Sequence, residues 1–287
     1  MEQAIPTLTN ILVLSSMYIL VALGFVLLFN VAGIINFAHG AIYMLGGYIG
    51  FAFSVVCGLN QWLALLLTVL VIASFGLFLE KFCFRPFAGD FNRTVTICIA
   101  IIVILETGVN IIGGTKILTF PPFVEGILRF GHVSVSYERI VTFAIGAVLL
   151  GITIWFIKRT KWGQQMQAVS QDVEAAALQG INVNRISAFA SALGCGLAAI
   201  AGCLMGSYMG LGPFMGTFML VKVLIVAILA GVGSIGGIFF AGLVLGVIDA
   251  VFPLFISGAA SSAVAVAVVI VILLIRPQGF FGHEMEM

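Results

Sequence analysis

Charge is scarce in this sequence. Of its 287 residues, 8% are charged and 62% are hydrophobic, whereas a soluble domain carries about 25% charged residues. No globular interior of this size could hide so much apolar surface, so the solvent around most of the chain must be lipid. The net charge of +1 does not bear on nucleic-acid binding, but no basic cluster is interleaved with aromatic residues in a polar setting, which argues against a nucleic-acid-binding protein.

The motifs of common enzymes are also missing. The sequence contains no H-E-x-x-H zinc motif and no G-x4-G-K-[ST] phosphate loop, so it cannot hydrolyse ATP by the latter route. His132 and His283 have no nucleophile near them in the sequence. We therefore predict no catalytic, cofactor-binding or metal-binding residue and a protein that is not an enzyme. If ATP drives its activity, another polypeptide must hydrolyse it.

The sequence shows neither a C-x-x-C pair nor the pattern of a cleavable leader. The five cysteines, at positions 57, 83, 98, 195 and 203, form no C-x-x-C pair, which favours small buried hydrophobic residues over metal or redox chemistry. The N-terminal stretch has no basic region before its apolar run, so we expect the first apolar segment to remain as a membrane span.

Long apolar segments fill the rest of the chain. A transmembrane helix needs about 20 mostly apolar residues, and about nine stretches qualify: 8–29, 36–57, 62–83, 94–113, 139–157, 186–209, 217–233, 235–256 and 258–275. The number of spans within 217–256 stays open, because its Gly-rich centre fits a loop or a break inside the bilayer. The sequence predicts an all-α, polytopic transmembrane bundle of about 8–9 spans, in one membrane domain over residues 1–287.

Basic residues in the short loops predict the orientation. Lys and Arg concentrate in residues 80–93, in residues 158–185 and at Arg276, and such residues mark cytoplasmic loops. Three spans precede the first of these loops, two separate the first from the second, and four separate the second from Arg276, so the parity is consistent. We predict an external N-terminus, a cytoplasmic C-terminus and an external loop at 114–138 that forms an ordered cap.

Glycine is abundant where the helices are expected to pack. Gly231, Gly233 and Gly236 form a literal G-x-G-x-x-G, but a dinucleotide site needs a strand, a turn and a helix in an α/β domain. Here both flanks are apolar runs, which favours close helix packing. Small residues spaced by four form three stripes, a pattern that suits helices whose backbones approach closely in lipid. The stripes are Gly237–Ala241 together with Gly242–Gly246, Gly202–Gly206–Gly210, and Gly46–Gly50.

Polar residues within the spans are candidates for a substrate path. An ionisable side chain at bilayer depth costs at least ~2.5 kcal/mol, so it normally faces a partner or a water-filled cavity. The candidates are Asn36, His39, Tyr43, Glu106, Asn110 and Asp249. The first three share one helix face, the next two are one turn apart, and Asp249 shares a stripe with Gly242 and Gly246, so it should point at a neighbouring helix.

The alternative for these residues is internal pairing that serves only folding. Lys222 is the available cation, and it could pair with Asp249 or with Glu106. Because Lys222 lies nearer the end of its span, it could also extend its ammonium group to the membrane surface. Both interpretations, a polar path and structural pairing, stay open from the sequence.

The largest cytoplasmic loop is "KWGQQMQAVSQDVEAAALQGINVNR", residues 161–185. Residues 164–179 contain no Pro or Gly and are rich in helix formers, which predicts one short helix outside the bilayer, with Gly180 as its C-terminal stop. Its apolar residues, mixed with charged positions, suit a docking surface for a cytoplasmic partner: Met166, Val169, Val173 and Leu178. A plain connector is the alternative.

Several stretches carry a family resemblance. Residues 174–180 read E-A-A-x3-G and resemble the coupling loop of ABC-importer permeases. "GIINFAHGAIYMLGGY" at 33–48, "GQQMQAVSQDVEAAALQGINVNRI" at 163–186, the glycine run at 230–237 and "RPQGFFG" at 276–282 resemble permeases for branched-chain amino acids of the LivH/LivM type. The resemblance covers residues 10–282, and the chain length favours the LivH side.

The resemblance implies an importer assembled from several chains. This chain would be a transmembrane permease domain of the bacterial inner membrane that forms the path for branched-chain, hydrophobic amino acids. Its partners would be two cytoplasmic ATP-binding subunits, a second homologous permease in a heterodimer, and a periplasmic substrate-binding protein. The residues that would couple to the ATPase are Gln171, Asp172, Glu174, Ala175, Ala176, Leu178 and Gly180.

Three other functions stay open at this point. A relative that transports urea or short amides has a similar sequence. A stand-alone secondary carrier could be driven by protons through Glu106 or Asp249. A membrane structural or assembly protein is the third. A carrier has no need of a cytoplasmic helix that receives an ATPase, so the 161–185 loop favours the importer.

Overall fold

The structure is a computed structural model, and it describes residues 4–130, 133–231, 234–255, 258–276 and 278–280. Within them lie eleven α-helices and one β-hairpin. The helices are α1 (Ala4–Ala32), α2 (His39–Phe51), α3 (Gln61–Phe78), α4 (Phe91–Gly113), α5 (Tyr137–Arg159), α6 (Lys161–Gln171), α7 (Val173–Leu178), α8 (Val183–Met209), α9 (Met215–Ala230), α10 (Ile235–Val251) and α11 (Gly258–Ile275). The hairpin pairs β1 (Ile127–Phe130) with β2 (Val133–Ser136) in antiparallel register.

The predicted polytopic helical fold is confirmed. In the described part of the chain, seven helices are long and apolar enough to cross a membrane: Ile5–Ala32, His39–Val56, Gln61–Phe87, Phe91–Gly113, Tyr137–Arg159, Val183–Met209 and Gly236–Leu254. Two further apolar helices are shorter, Met215–Ala230 and Ala263–Ile272. The ambiguous region 217–256 therefore contains one short helix, α9, and one longer helix, α10.

Helix α1 lies at the centre of the bundle. It packs against α5, α8, α9 and α10, and its span is the most buried of the seven. Helices α4 and α5 lie at the periphery and leave most of their apolar side chains at least partly exposed. Because lipid solvates such faces as well as another helix would, these two helices are suited to the bilayer boundary.

The predicted glycine stripes are confirmed as packing surfaces. A Cβ on Gly202 of α8 would overlap the carbonyl oxygen of Tyr43 in α2, and a Cβ on Gly46 of α2 would lie 2.5 Å from the Cα of Ala199 in α8. Gly246 of α10 sits against the backbone of Ser15 in α1 in the same way. These positions accept hydrogen only, so the backbones touch as the small-residue spacing predicts.

The G-x-G-x-x-G stretch separates two helices. Gly231 ends α9 with φ of +85°, and the Ser234 hydroxyl accepts a hydrogen bond of 3.1 Å from the Gly237 amide at the start of α10. Residues 232–233, which include Gly233, lie outside the described residues. Since helices flank this turn on both sides, the structure excludes the strand–turn–helix of a dinucleotide site and supports the packing interpretation.

Contacts between loops define two ends of the bundle. At the cap end, Asn10 accepts a 2.8 Å hydrogen bond from the Tyr208 hydroxyl, and the Gln61 amide donates to the Pro121 carbonyl at 2.8 Å. At the opposite end, which we call the connector end, the Arg85 guanidinium donates to the Asn184 carbonyl at 3.0 Å. The N-terminus and the 114–138 loop thus share one end, and the basic loops at 85 and 184 share the other.

The 114–138 loop contains the β-hairpin of β1 and β2, which was not predicted from the sequence. The Glu138 carboxylate, which is 5% exposed, accepts hydrogen bonds from the amides of Phe123 at 2.7 Å and Val124 at 3.2 Å. The Ser207 hydroxyl donates to the same carboxylate at 2.5 Å. This buried acid therefore ties the loop to the end of α8.

The prediction of one continuous helix over residues 164–179 is wrong. The segment forms two helices, α6 and α7, which meet at Asp172 with extended backbone angles of φ −155° and ψ 112°. The cause is local, since the Asp172 carboxylate accepts hydrogen bonds from the amides of Glu174 and Ala175, both at 2.9 Å. An aspartate that caps a new helix N-terminus competes with continuation of the previous helix.

Candidate functional site

A largely buried ion pair joins three helices of the bundle. The Lys222 ammonium of α9 lies 2.7 Å from the Asp249 carboxylate of α10, and the Tyr18 hydroxyl of α1 donates to the same carboxylate at 2.7 Å. The side chains of Lys222 and Asp249 are 15% and 11% exposed. Asp249 faces neighbouring helices, as predicted, and Lys222 pairs internally rather than extending to the membrane surface.

A cavity of about 200 Å³ opens beside this pair. Its lining combines aromatic and thioether side chains with one charged group: Tyr18, Tyr43, Met205, Met209, Met215, Phe218, Met219 and Lys222, with Gly210. Of the six predicted path residues, Tyr43 lines this cavity, and Asp249 is linked to it through Tyr18 and Lys222. The sequence analysis did not select Lys222 as a path residue.

Asn36 and His39 lie in and just after the break between α1 and α2. Both are fully buried. The Asn36 side-chain oxygen accepts a 3.0 Å hydrogen bond from the Ala38 amide, and Nε2 of His39 donates to the Val21 carbonyl at 3.2 Å. Neither side chain lines the cavity beside Lys222. Their contacts fix the start of α2 against α1.

Glu106 and Asn110 lie on the peripheral helix α4. The Glu106 carboxylate accepts a hydrogen bond from the Thr217 hydroxyl of α9. The Asn110 side-chain oxygen is buried and has no hydrogen-bond partner among the described residues. The structure therefore does not bring this pair to the Lys222 cavity, but it links α4 to the helix that carries Lys222.

The predicted coupling segment forms a rigid, exposed turn of helix at the connector end. Beyond the Asp172 cap, Gly180 has φ of +83°, the Ile181 amide donates to the Ala176 carbonyl at 3.1 Å, and the Gly180 amide donates to the Ala177 carbonyl at 3.0 Å. This hydrogen-bond pair is the Schellman motif, so the predicted C-terminal stop is confirmed. Ala176 faces inward, and Leu178 is 90% exposed.

The four apolar residues of this loop divide between two faces. Met166 and Val169 of α6 are buried against the bundle, whereas Val173 and Leu178 of α7 are exposed. The prediction that all four form a docking surface is therefore wrong for the first two, which attach the loop to the membrane domain. The remaining predicted coupling residues are exposed on the water side of α6, α7 and the turn after them: Gln171, Asp172, Glu174, Ala175 and Gly180.

A second ion pair, between Glu80 and Arg85, lies beside the 161–185 loop and was not predicted from the sequence. Glu80 is buried near the end of α3, and its carboxylate lies 2.5 Å from the Arg85 guanidinium. Arg85 also donates to the Asn184 carbonyl after α7. The sequence does contain a signal for this pair. An acid ends an apolar run and an arginine follows five residues later, which is an unusual pattern for a helix end that faces lipid.

The structure also bears on metal binding. Among the residues that it describes, no group of three or more His, Cys, Asp or Glu side chains is placed to hold a metal ion. The five cysteines are free thiols, and three of them, Cys98, Cys195 and Cys203, are buried. His132 and His283 lie outside the described residues.

Comparison with known proteins assigns the family. The family described as "Branched-chain amino acid transport system / permease component" matches residues 7–274. The chain is 33% identical to the high-affinity branched-chain amino acid transport system permease protein BraD of Pseudomonas aeruginosa, over 96% of this chain and 94% of that protein. It is 30% identical to the permease LivH of Escherichia coli K12, over 95% and 94% of the two chains.

A more distant relative covers the same length. The probable branched-chain amino acid transport permease LivH of Methanocaldococcus jannaschii is 24% identical over 96% of this chain and 91% of that protein. The match thus extends over the whole membrane bundle, including the α1–α2 break, the cavity and the connector. The chain belongs to the family of permease components of branched-chain amino acid transport systems.

Proposed function

We propose that this chain is the membrane-spanning permease subunit of an ATP-binding-cassette importer for branched-chain amino acids, in the bacterial inner membrane. The whole chain, residues 1–287, would form one permease domain. Family membership over nearly the full length supports the transport role. The observation that carries the coupling to an ATPase is α7, a capped helix at the connector end that leaves Val173 and Leu178 in water.

The geometry of the connector suits the transmission of force. Helix α6 is attached to the bundle through Met166 and Val169, which are buried. Helix α7 is fixed at its start by Asp172 and at its end by the turn at Gly180. Exposed apolar residues on a rigid water-facing element indicate a docking surface. An ATPase subunit seated on α7 would therefore move α6 and the helices that α6 touches.

The translocation path would pass the cavity beside Lys222. Tyr43 and Asp249 would contribute its polar wall, since Tyr43 lines the cavity and Asp249 holds Lys222. Asn36 and His39 would set the position of α2, and Glu106 and Asn110 would set the position of α4 against α9. Broken segments next to a cavity are typical of transporters whose helices rearrange around a central site.

Partner subunits would occupy the surfaces that this chain leaves free. A second homologous permease, in a heterodimer, would cover part of the exposed apolar face of α4 and α5. A periplasmic substrate-binding protein would approach the cap end, where the Glu138 carboxylate holds the 114–138 loop in place. Two cytoplasmic ATP-binding subunits would serve the two permease chains, one on each connector.

Reconstitution tests the proposal. The chain is co-expressed with the ATP-binding subunits, second permease and binding protein encoded beside it, and the purified complex is placed in proteoliposomes. We expect uptake of radiolabelled leucine that requires ATP and the binding protein and that is insensitive to a proton ionophore. Uptake without ATPase subunits would establish a secondary carrier instead. Uptake of urea or acetamide in preference to leucine would establish the amide-transporting alternative.

A further inference from the structure

The cavity beside Lys222 has two chemically different walls. Four methionines provide most of its apolar lining, and the Lys222 ammonium provides its single charged group. We propose that this cavity receives the amino acid during transport, with the substrate carboxylate on Lys222 and the substrate side chain among the methionines. This inference rests on the proposed function, and it names a recognition residue that the sequence analysis did not select.

The hydrogen-bonding capacity of Lys222 supports this assignment. A lysine ammonium group has three N–H donors, and one donates to Asp249 at 2.7 Å. The Asp249 carboxylate is held from its other oxygen by the Tyr18 hydroxyl at 2.7 Å. Asp249 is therefore fixed behind the ammonium group, and the remaining donors of Lys222 are available to a carboxylate in the cavity that Lys222 lines.

Charge balance favours a zwitterion over a simple anion. The pair Lys222–Asp249 is neutral as a unit, so a simple anion would add one uncompensated charge to a site of low dielectric constant. An α-amino acid carries one positive and one negative group. With its carboxylate on Lys222 and its ammonium group toward the hydroxyls of Tyr18 and Tyr43, which line the cavity, the substrate adds no net charge and the site stays neutral.

The size and lining of the cavity suit a small aliphatic side chain. Its volume of about 200 Å³ exceeds the ~30 Å³ share of one water molecule and is smaller than the roughly 300 Å³ of the smallest pockets for drug-sized ligands. Methionine is unbranched and polarizable, and it adapts to ligands of different shape. Met205, Met215 and Met219 can thus accommodate leucine, isoleucine and valine without selecting one of them.

Competition within the pair also suits transport. Asp249 already occupies one donor of Lys222 and partly neutralises its charge, so a substrate carboxylate meets a weaker partner than a free ammonium group. A site on a path must bind strongly enough for entry and weakly enough for release. The pair therefore provides recognition at low affinity, in keeping with a permease that receives substrate from a binding protein.

Photolabelling of the complete transporter in nanodiscs tests the proposal. The probe is a leucine analogue with a diazirine in its side chain, and labelled peptides are identified by mass spectrometry. We expect labelling of residues 205–219, suppressed by excess leucine. Leucinamide and 4-methylpentanoate, which lack one of the two charges, should compete at least about tenfold less well, because each loses a charge-assisted hydrogen bond.

Two variants separate recognition from folding. In the double variant Lys222→Met with Asp249→Asn, no charge is left unpaired, so the bundle should fold, but labelling of residues 205–219 should fall about tenfold or more. In Lys222→Arg, which keeps the positive charge, labelling should remain within about threefold of that in the unmodified protein. Folding is checked independently by size-exclusion chromatography and by copurification of the ATPase subunits.

Each outcome decides the question. Persistent labelling in the folded double variant, or equal competition by leucinamide and leucine, would overturn the inference. If the double variant does not fold, the competition series on the unmodified protein and the Lys222→Arg result still decide. ATP-driven leucine uptake by the unmodified complex, measured in parallel, separates the two proposals: uptake with labelling elsewhere contradicts only the cavity assignment, and no uptake contradicts the proposed function.

Discussion

Buried carboxylates in this permease are each held by donors that fix their position. Asp249 accepts hydrogen bonds from Tyr18 and Lys222, and Glu80 is paired with Arg85. Glu138 accepts hydrogen bonds from two backbone amides and from the Ser207 hydroxyl. An unpaired charge in an apolar interior is very costly, so these partners are a condition for placing acids within the bundle.

The sequence could predict that such acids are paired but could not identify every partner. The cost of an ionisable residue in a span predicts a partner for Asp249, and Lys222 was one candidate. The same reasoning allowed Lys222 to pair with Glu106, which instead accepts a hydrogen bond from Thr217. The choice depends on which helices are adjacent, and helix adjacency is not encoded in the local spacing of polar residues.

Asp249→Ala is expected to destabilise the protein strongly. It leaves the Lys222 ammonium buried without its carboxylate, and removal of one partner of a buried pair typically costs about 3–5 kcal/mol. The measurement is the midpoint of thermal aggregation of the purified transporter in detergent. The control is Arg93→Ala, which removes one partner of the solvent-exposed pair Arg93–Asp90 and should cost about 1 kcal/mol or less. Equal effects of the two variants would contradict a structural role for the Lys222–Asp249 pair.

At the scale of elements, hydropathy predicted the helices well and their junctions less well. Each predicted apolar segment corresponds to a helix of the described structure, because a bilayer forces backbone groups to bond within the segment. Junctions depend on single side chains that hydropathy does not register. Asp172 divides the connector into two helices by capping the second, and the hairpin of β1 and β2 lies in a loop with no long apolar run.

Gly202→Ala is expected to disturb the packing of α2 on α8. An added Cβ would overlap the carbonyl oxygen of Tyr43, a backbone atom that cannot yield without moving α2. Overpacking of this kind costs about 1–3 kcal/mol. The matched control is Gly151→Ala in α5, where an added Cβ would meet no heavy atom within 4 Å.

The two glycine variants are compared by the fraction of folded protein that survives heating. Helix propensity alone favours alanine over glycine by about 1 kcal/mol at either position, so Gly151→Ala should be neutral or stabilising. A Gly202→Ala protein as stable as the Gly151→Ala protein would show that the close contact with Tyr43 is not required. Because Tyr43 lines the cavity, we also expect leucine uptake to decrease in Gly202→Ala.

Leu178→Asp is expected to weaken the docking of the ATPase subunits on this chain. Leu178 is 90% exposed on α7, so the substitution removes no contact within this chain. It places a charge on the proposed docking surface, where an unpaired charge weakens association by about 2 kcal/mol or more. Copurification of the ATPase subunits and leucine uptake should both fall at least tenfold, while the amount of folded permease is unchanged.

The control for this variant is Gln164→Ala on α6. Gln164 is exposed at the same end of the bundle but lies outside the predicted coupling residues. Uptake and copurification should stay within about twofold of the unmodified protein, as is usual for exposed substitutions away from an interface. If Leu178→Asp retains full copurification, α7 is not the docking surface, and the proposed coupling route is wrong.

At the scale of the whole molecule, the loops and termini are distributed between two ends. At the cap end, Tyr208 near the end of α8 donates a hydrogen bond to Asn10 near the start of α1, and the adjacent Ser207 donates to Glu138 and to the Pro121 carbonyl of the 114–138 loop. The C-terminal segment returns to the connector end, where the Phe280 amide donates to the Leu229 carbonyl at 2.8 Å at the end of α9. The basic loops that predict a cytoplasmic face lie at this second end, so the contacts group these loops at one end, as the charge rule requires.

Cysteine labelling tests this orientation. Cys57 is exposed at the cap end, at the end of the π-helical extension Ala52–Val56. A membrane-impermeant maleimide should therefore label Cys57 in spheroplasts, and the Cys57→Ser variant should lose that label.

In the Cys57→Ser background, Leu178→Cys should be labelled only in inside-out vesicles, because α7 lies at the connector end. Since the charge rule depends on loop composition and labelling depends on access from one side, the two are independent. Labelling of Cys57 from the cytoplasmic side would invert the orientation and place the proposed ATPase surface outside the cell, which would contradict the importer mechanism as a whole.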